Sequence, residues 1–541
     1  VPHSASATLP VEDIVGGERH GLSFLERLRQ VEGIPLERPA LIEGRYAYSP
    51  RHNGLVLSPG FEPEKPSNYE DALGRVLSPS FEVKCLTCHG QPITLATGNK
   101  GGIHCESCHG PALDHVNSLK VGDPGRAMVR PPKISDSESI KVCAQCHSGL
   151  TDHSDPLPED LLVSDQVPAL RNSECFIQSG EGLSCIDCHN PHDDSKSAVE
   201  TSTRTCLKCH SQSREQHAAI CPINTTGNCV ACHMPSVQSN SFRLTDHWIR
   251  THPEQGIKAT KLDERLRSQV PAKREFLRII VVADHQQAEL AKQRLEKGDA
   301  FAHVARQISI DATAAGGGYI GEMELSQMDA KLAAAASKLA YGETSGIVDL
   351  GDHCVLLHRM PRDFKWDANR LLQEASALKT HGDLKSAIDK DRQALEIYPY
   401  FLRALIFMGS TLGEAGEAER ASEILRFAAE FYPKDASSQF DLGLTLGKRP
   451  AEQIQAFQRA IDLNPDMTAA YESLGAALYS AGQAQSAISV FHKGLQIDPL
   501  SAKLNFDLGL ALKQQGDEAG AKRALDLAAK LDPEIAVRSP K

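Results

Sequence analysis

The chain has 541 residues, enough for several domains with cores of their own. Apolar residues make up 41% and charged residues 24%, the balance of a globular chain, which excludes wholesale disorder and a fibrous architecture. The 58 basic and 70 acidic side chains leave a net charge of −12, which argues against a nucleic-acid partner, and no apolar run reaches the roughly 18 to 20 residues of a membrane-spanning helix.

The chain opens at Val1 with no charged-then-apolar leader, the pattern expected of a secreted chain whose signal peptide has been removed. Fifteen cysteines follow, and twelve of them fall into one pattern: Cys85, Cys88 and His89 (CLTCH), Cys105, Cys108 and His109 (CESCH), Cys143, Cys146 and His147 (CAQCH), Cys185, Cys188 and His189 (CIDCH), Cys206, Cys209 and His210 (CLKCH), and Cys229, Cys232 and His233 (CVACH). Each reads C-x-x-C-H, the haem c attachment signature. Two thiols at this spacing add to the two vinyl groups on one edge of a haem, and the next residue then lies under the iron as proximal ligand. Structural zinc is the rival reading, but zinc does not require a histidine after every second cysteine, six times in six.

Six haem c groups with their irons are therefore expected, in a periplasmic, outer-envelope or extracellular compartment. The motif starts are 20, 38, 42, 21 and 23 residues apart, which predicts successive haems stacked into a chain. Macrocycles then fill much of the interior, so short helices and long loops are expected over residues 1 to 255. Ten histidines lie outside the motifs within residues 1 to 260, against two methionines, Met128 and Met234, so histidine is the expected second axial ligand.

Local context separates those histidines. Gly16-Gly17-Glu18-Arg19-His20, the second motif running on through Gly110-Pro111 to His115-Val116, the fourth running into Asn190-Pro191-His192, and the sixth followed by Met234-Pro235 and then Thr245-Asp246-His247 resemble multihaem cytochromes of the hydroxylamine oxidoreductase and ammonia-forming nitrite reductase superfamily. The likeness covers about the first 255 residues, and it implies that His20, His115, His192 and His247 are distal iron ligands. His217, between the fifth and sixth motifs, is the fifth candidate, and His52 the sixth, ahead of His153 and His252. No C-x-x-C-K motif replaces a proximal histidine as in the nitrite reductases, so an open, substrate-binding haem is not indicated. Cys175 and Cys221 stand either as a disulfide or as two buried thiols.

A charged linker, 256 to 272, ends the haem region. Residues 275 to 282 (EFLRIIVV) predict a strand, 285 to 307 an amphipathic helix with Leu290, Leu295, Phe301 and Val304 on one face, and 353 to 358 a closing strand. Gly298 to Ala305, Gly316 to Gly321, Leu339 to Ser345 and Gly351-Asp352-His353 resemble the parvulin-type peptidyl-prolyl isomerases. In active members a histidine opens the first strand opposite a second on the last, with Asp or Cys between. Here Arg278 stands at the first position while Asp311 and His353 occupy the others, so an inactive or weakly active fold used for packing or peptide binding is expected over 273 to 363. Gly316 to Gly321 lacks the Lys-Ser/Thr ending of a phosphate loop.

From Trp366 onward prolines recur at Pro399, Pro433, Pro465, Pro499 and Pro533, 34, 32, 34 and 34 residues apart. Gly409, Gly443, Gly475 and Gly509 keep the same interval, as small residues must where helices approach closely. This pattern looks like five tetratricopeptide repeats over 364 to 535, before a short tail at 536 to 541, the third unit two residues short near Lys448-Arg449-Pro450. A superhelix of this kind binds a protein segment or self-associates.

The expected architecture is multidomain: a haem-packed, mainly α and loop cytochrome domain, an α+β parvulin-like domain and an all-α solenoid. The expected function is electron transfer between redox donor and acceptor proteins, with docking through the repeats and no transmembrane segment. Two alternatives stand beside it: a reductase with one five-coordinate haem acting on a small nitrogen, sulfur or oxygen species, and a self-assembling conductive filament or envelope-complex subunit.

Overall fold

The computed structural model describes residues 11–17, 21–49, 52–58, 66, 72–83, 120, 136–147, 166–171, 173, 175–176, 183–190, 198–210, 228–239, 242–249, 274–361 and 364–535. Two compact units emerge. One comprises Val1–Pro132, Gln238–Arg243 and Leu412–Lys541; the other comprises Lys133–Val237 and Leu244–Thr411.

In the first unit the chain opens with a five-stranded antiparallel sheet: β1 (Val11–Gly17), β2 (Gly21–Val31), β3 (Ile34–Ser49), β4 (Gly54–Leu57) and β5 (Gly74–Leu77). The path runs β1-β2-β3-β4, with β5 added on β3. Val31 pairs with Ile34, so only Glu32 and Gly33 turn the β2–β3 hairpin, both at positive φ (47° and 85°), as a turn that matches strand twist requires. This sheet corrects the expectation of helices and loops throughout residues 1 to 255. Alternation specifies it: Leu41 packs with Leu25 and Leu77 on one face, while Ala40 and Ile42 pack with Leu28 and Val31 on the other.

That second face closes on the last repeat, on Leu500, Ala502, Leu527, Ala528, Leu531 and Ile535. Arg38 of β3 donates from Nε to the carbonyl of Gln496 and from Nη2 to those of Ile497 (2.9 Å) and Leu77 (3.2 Å). Lys530 pairs with Glu32 at 2.8 Å, and Ser78 donates to Asp466 at 2.7 Å.

The second unit holds the helices of four motifs, α1 (Asp136–His147), α3 (Cys185–Cys188), α4 (Ala198–Cys209) and α5 (Cys229–His233), with α2 (Gln166–Arg171) between the first two. Two short strands, β6 (Ser236–Ser239) and β7 (Phe242–Thr245), come next in the chain, each divided by a unit boundary, and the second unit continues with an antiparallel sheet. Its strands are β8 (Arg274–Val282), β9 (Tyr319–Glu324), β10 (Val348–Asp349) and β11 (Cys354–Arg359), ordered β10-β11-β8-β9. Helices α6 (His285–Glu296), α7 (Phe301–Ile308) and α8 (Ala330–Ala336) cover it. Ile280, Val282 and Leu356 pack with Ala288, Ala291, Phe301 and Val304 on one side, and Leu277, Val355 and Leu357 pack with Ala336 and Leu339 on the other.

The single helix expected over 285 to 307 is two, because Gly298 at φ 97° breaks it. The apolar face also differs: Ala288 and Ala291 are buried while Leu290 is exposed. Cys354 is a small buried residue of this core.

Ten helices complete the chain: α9 (Phe364–Thr380), α10 (Leu384–Ile397), α11 (Leu402–Glu414), α12 (Ala418–Phe431), α13 (Ala436–Thr445), α14 (Pro450–Leu463), α15 (Thr468–Ser480), α16 (Ala484–Ile497), α17 (Ala502–Gln515) and α18 (Glu518–Leu531), with α9 packed on α10, α13 on α14, α15 on α16 and α17 on α18. The glycines act as the spacing implies. A Cβ on Gly443 would lie 2.5 Å from the ring of Phe457, one on Gly475 2.2 Å from that of Phe491, and one on Gly509 2.6 Å from Leu525. The short third repeat appears as a short α13, after which Pro450 starts α14 at its first position.

Candidate functional site

Motifs three to six lie within the described residues. The first two (Cys85, Cys88, His89, Cys105, Cys108 and His109), the side chains of Cys146 and Cys209, and the candidates His20, His115, His192 and His217 lie outside them, as does Cys221.

Each described motif sits on a helical turn, which puts residues i and i+3 on one face. In the fourth and fifth motifs the histidine N–H closes that turn: His189 donates to the Cys185 carbonyl at 2.8 Å and His210 to that of Cys206 at 3.0 Å. Local capping starts the turns. Ser184 and Asp187 cap α3 reciprocally, and Asn228, at φ 60°, accepts from the Ala231 N–H to start α5.

The motif helices pack in sequence order, α1 on α3, α3 on α4, and α4 on α5. Thr205 of α4 donates to the Asp187 carbonyl at 2.7 Å, and Lys208 lies 3.8 Å from the Asp187 carboxylate. A hydrogen bond links the thiols of Cys143 and Cys185, holding the first down at about 7 and pushing the second well up. Cys206 and Cys229 are joined in the same way, which raises Cys206, with a smaller contribution from Cys175. Thus the leading cysteine of motif three meets that of motif four, and that of motif five meets that of motif six.

The histidines complete the site. The rings of His189 and His247 lie 6.1 Å apart, centre to centre, with planes 27° apart. His247 Nδ1 donates to the Thr245 carbonyl at 2.8 Å, which leaves Nε2 as the lone-pair nitrogen. Desolvation lowers the pKa of both rings, with a contribution from His147 at His189, while at His247 the Thr245 hydrogen bond works against the lowering. His147 Nδ1 bonds Gln166 Oε1 at 2.9 Å. Ser173 bridges the His247 loop to α2, accepting from the Ile249 N–H at 2.8 Å and donating to the His247 carbonyl at 3.3 Å.

These residues fit a haem. The fit is one of donor chemistry: imidazole nitrogens would hold the iron, and the paired thiols would hold the vinyl edge of the macrocycle. His52 lies exposed in the β3–β4 turn of the first unit, with Nδ1 on Ser49 Oγ at 3.0 Å. Thr245 and Gln166, which orient the imidazoles, carry no sequence signal, because one acts through its backbone and the other from a distant helix.

The isomerase-type positions are rearranged. His353 is in an exposed turn beside Asp352 (2.6 Å), whereas His358 lies directly opposite Arg278 in the β8–β11 register. His358 bonds Thr344 Oγ1 at 3.0 Å, stacks on Phe301 at 5.2 Å, and is lowered to about 4 by burial and by Arg278. Asp311 caps the turn Ala312–Gly316.

Comparisons with known proteins agree on three segments. The family model for a doubled CXXCH motif matches residues 178–215, so that segment carries a covalent haem c signature. The PPIC-type PPIASE domain matches 282–359, and the tetratricopeptide repeat matches 478–539, which makes this part of the chain a protein-interaction module. The peroxisomal targeting signal receptor of Candida albicans is 26% identical over 99 residues, and the match spans 17% of this chain and 17% of that protein. Among solved structures, MamA is 26% identical, with 30% of this chain and 96% of that chain covered and a TM-score of 0.28. YrrB, described as a TPR protein with an unusual peptide-binding site, is 23% identical, with coverages of 32% and 90% and a TM-score of 0.28. No described helix is long and apolar enough to cross a membrane.

Proposed function

We propose that this chain is an extracytoplasmic electron-transfer protein that carries six covalent haem c groups, one per C-x-x-C-H motif, and docks to redox partners through its repeats. The observation that carries the reading is the packing of the described motif helices in sequence order, which places neighbouring attachment points side by side. When bound, each group supplies one-electron Fe(III)/Fe(II) cycling at a potential set by axial ligands and burial.

The chain's own residues do the rest. Twelve cysteines, Cys85 through Cys232, hold the macrocycles, and His89, His109, His147, His189, His210 and His233 stand as proximal ligands. His247, whose ring neighbours that of His189 and is oriented by the Thr245 carbonyl, would serve as a distal ligand. His20, His115, His192, His217 and His52 are the ligands proposed for the remaining irons. Saturated irons need no substrate pocket, nucleophile or acid–base pair.

Absorption and EPR spectra of the oxidised protein at known haem stoichiometry test this. The expected result is six haems, all low-spin, and in His247→Ala one high-spin haem that binds cyanide. Fewer than six haems, or a His247→Ala spectrum unchanged from wild type, overturns the assignment. A wild-type high-spin haem that binds nitrite turns the reading to the reductase.

A further inference from the structure

The sheet domain and the first repeat share one core. Tyr319 of β9 and Met360 pack with Phe364, Ala368, Leu371, Tyr398 and Phe401. At its centre is Arg278, only 4% exposed. Its guanidinium donates to the carbonyls of Gly317 (2.9 Å), Glu396 (2.8 Å) and Ile397 (2.9 Å), and its Nε points at Met360 Sδ at 3.2 Å. Glu396 and Ile397 end α10, where carbonyls have no partner within the helix and the dipole is negative. A histidine has neither the reach nor the fork to satisfy both.

The residues just after α10 enter the same place. Tyr398, Pro399 and Tyr400 form an aromatic–proline–aromatic turn. Tyr319 meets Tyr398 at 5.7 Å and Tyr400 at 5.6 Å between ring centres. A Cβ on Gly316 would lie 2.8 Å from the Tyr400 hydroxyl and 3.8 Å from Pro399 Cβ. Gly316 ends the short turn that Asp311 caps, so the Tyr400 ring sits against the turn that carries the second position singled out by the isomerase likeness.

We propose that Tyr398-Pro399-Tyr400 is a built-in occupant of the isomerase-type site: the first repeat inserts its own Xaa–Pro turn, Arg278 locks it there, and the site is closed to proline peptides from outside. The sheet domain then serves as the cap that the first repeat of a solenoid requires. Nothing in this depends on the haem assignment.

The test uses the full-length protein and an Ala-Ala-Pro-Phe peptide, with cis/trans exchange and binding followed by NMR. Wild type is expected to leave the peptide's exchange rate unchanged and to bind none of it. Pro399→Ala combined with Tyr400→Ala empties the site and is expected to bring peptide binding into the measurable range. The milder Arg278→Lys keeps the charge but loses the fork, and is expected to speed hydrogen exchange at the end of α10 by about tenfold. Wild-type catalysis or binding overturns the closure, and so does failure of the double variant to gain binding while its circular dichroism stays native. Unchanged exchange in Arg278→Lys overturns the lock.

Discussion

Asp391 lies in α10 with no exposed surface, and neither of its carboxylate oxygens has a hydrogen-bond partner among the described residues. Burial raises its pKa from 3.8 to about 8. The folded state therefore keeps a proton that the unfolded chain releases above pH 4. Stability from this group is whole below that point and is lost as pH rises toward 8, at about 1.4 kcal/mol per unit. Asp391→Asn removes the titration, so urea midpoints of wild type are expected to fall between pH 5 and 8 while those of the variant stay flatter. Equal slopes in the two proteins would refute the assignment. The position was not legible in the sequence, because an aspartate in an amphipathic helix reads as surface until a partner helix covers it. The C-x-x-C-H cysteines were legible, since attachment depends on spacing within five residues.

At the scale of elements, repeat packing rests on glycines that admit an aromatic ring. Gly475→Ala adds a Cβ 2.2 Å from Phe491, which is backed by the buried Leu495 and Tyr471. Helix propensity favours alanine by about 1 kcal/mol, but overpacking a full core costs about 1 to 3. Net destabilisation is therefore expected in urea, and Phe491→Leu should rescue it; a more stable Gly475→Ala would mean that α15 and α16 yield. The repeat period was legible because every unit restates it. The break between α6 and α7 was less so, since Phe301 and Val304 keep the apolar rhythm across Gly298 and mask the change in direction. Two arginines cap the solenoid alike. Arg278 takes the carbonyls of residues 396 and 397, and Arg38 those of 496 and 497, at equivalent places three repeats apart. In each case a strand supplies what a helix end lacks.

Within the first unit the N-terminal sheet packs on the C-terminal repeat, so residues some 460 apart in sequence share a core. Arg38→Ala removes exposed and part-buried hydrogen bonds to the carbonyls that end α16, worth about 0.5 to 1.5 kcal/mol each. We expect a lower urea midpoint and faster hydrogen exchange in α16 and α18, with Lys530→Ala, an exposed ion pair, changing little. An Arg38→Ala protein as stable as wild type would show that the apolar face alone holds the sheet. The sequence by itself determined the chemistry that is local: cysteine pairs with their histidines, the glycine and proline periods of the repeats, the strand–helix order of the middle domain. Tertiary structure alone decided that the His247 ring neighbours that of His189, that the opening residues form a sheet against the last repeat, and that Tyr398 to Tyr400 enter the site beside Arg278. The physical reason is the range of the interactions. Covalent attachment and helix packing inside one repeat are fixed by spacings of a few residues, whereas axial pairing, capping and occupancy depend on surfaces that meet only after distant segments have folded.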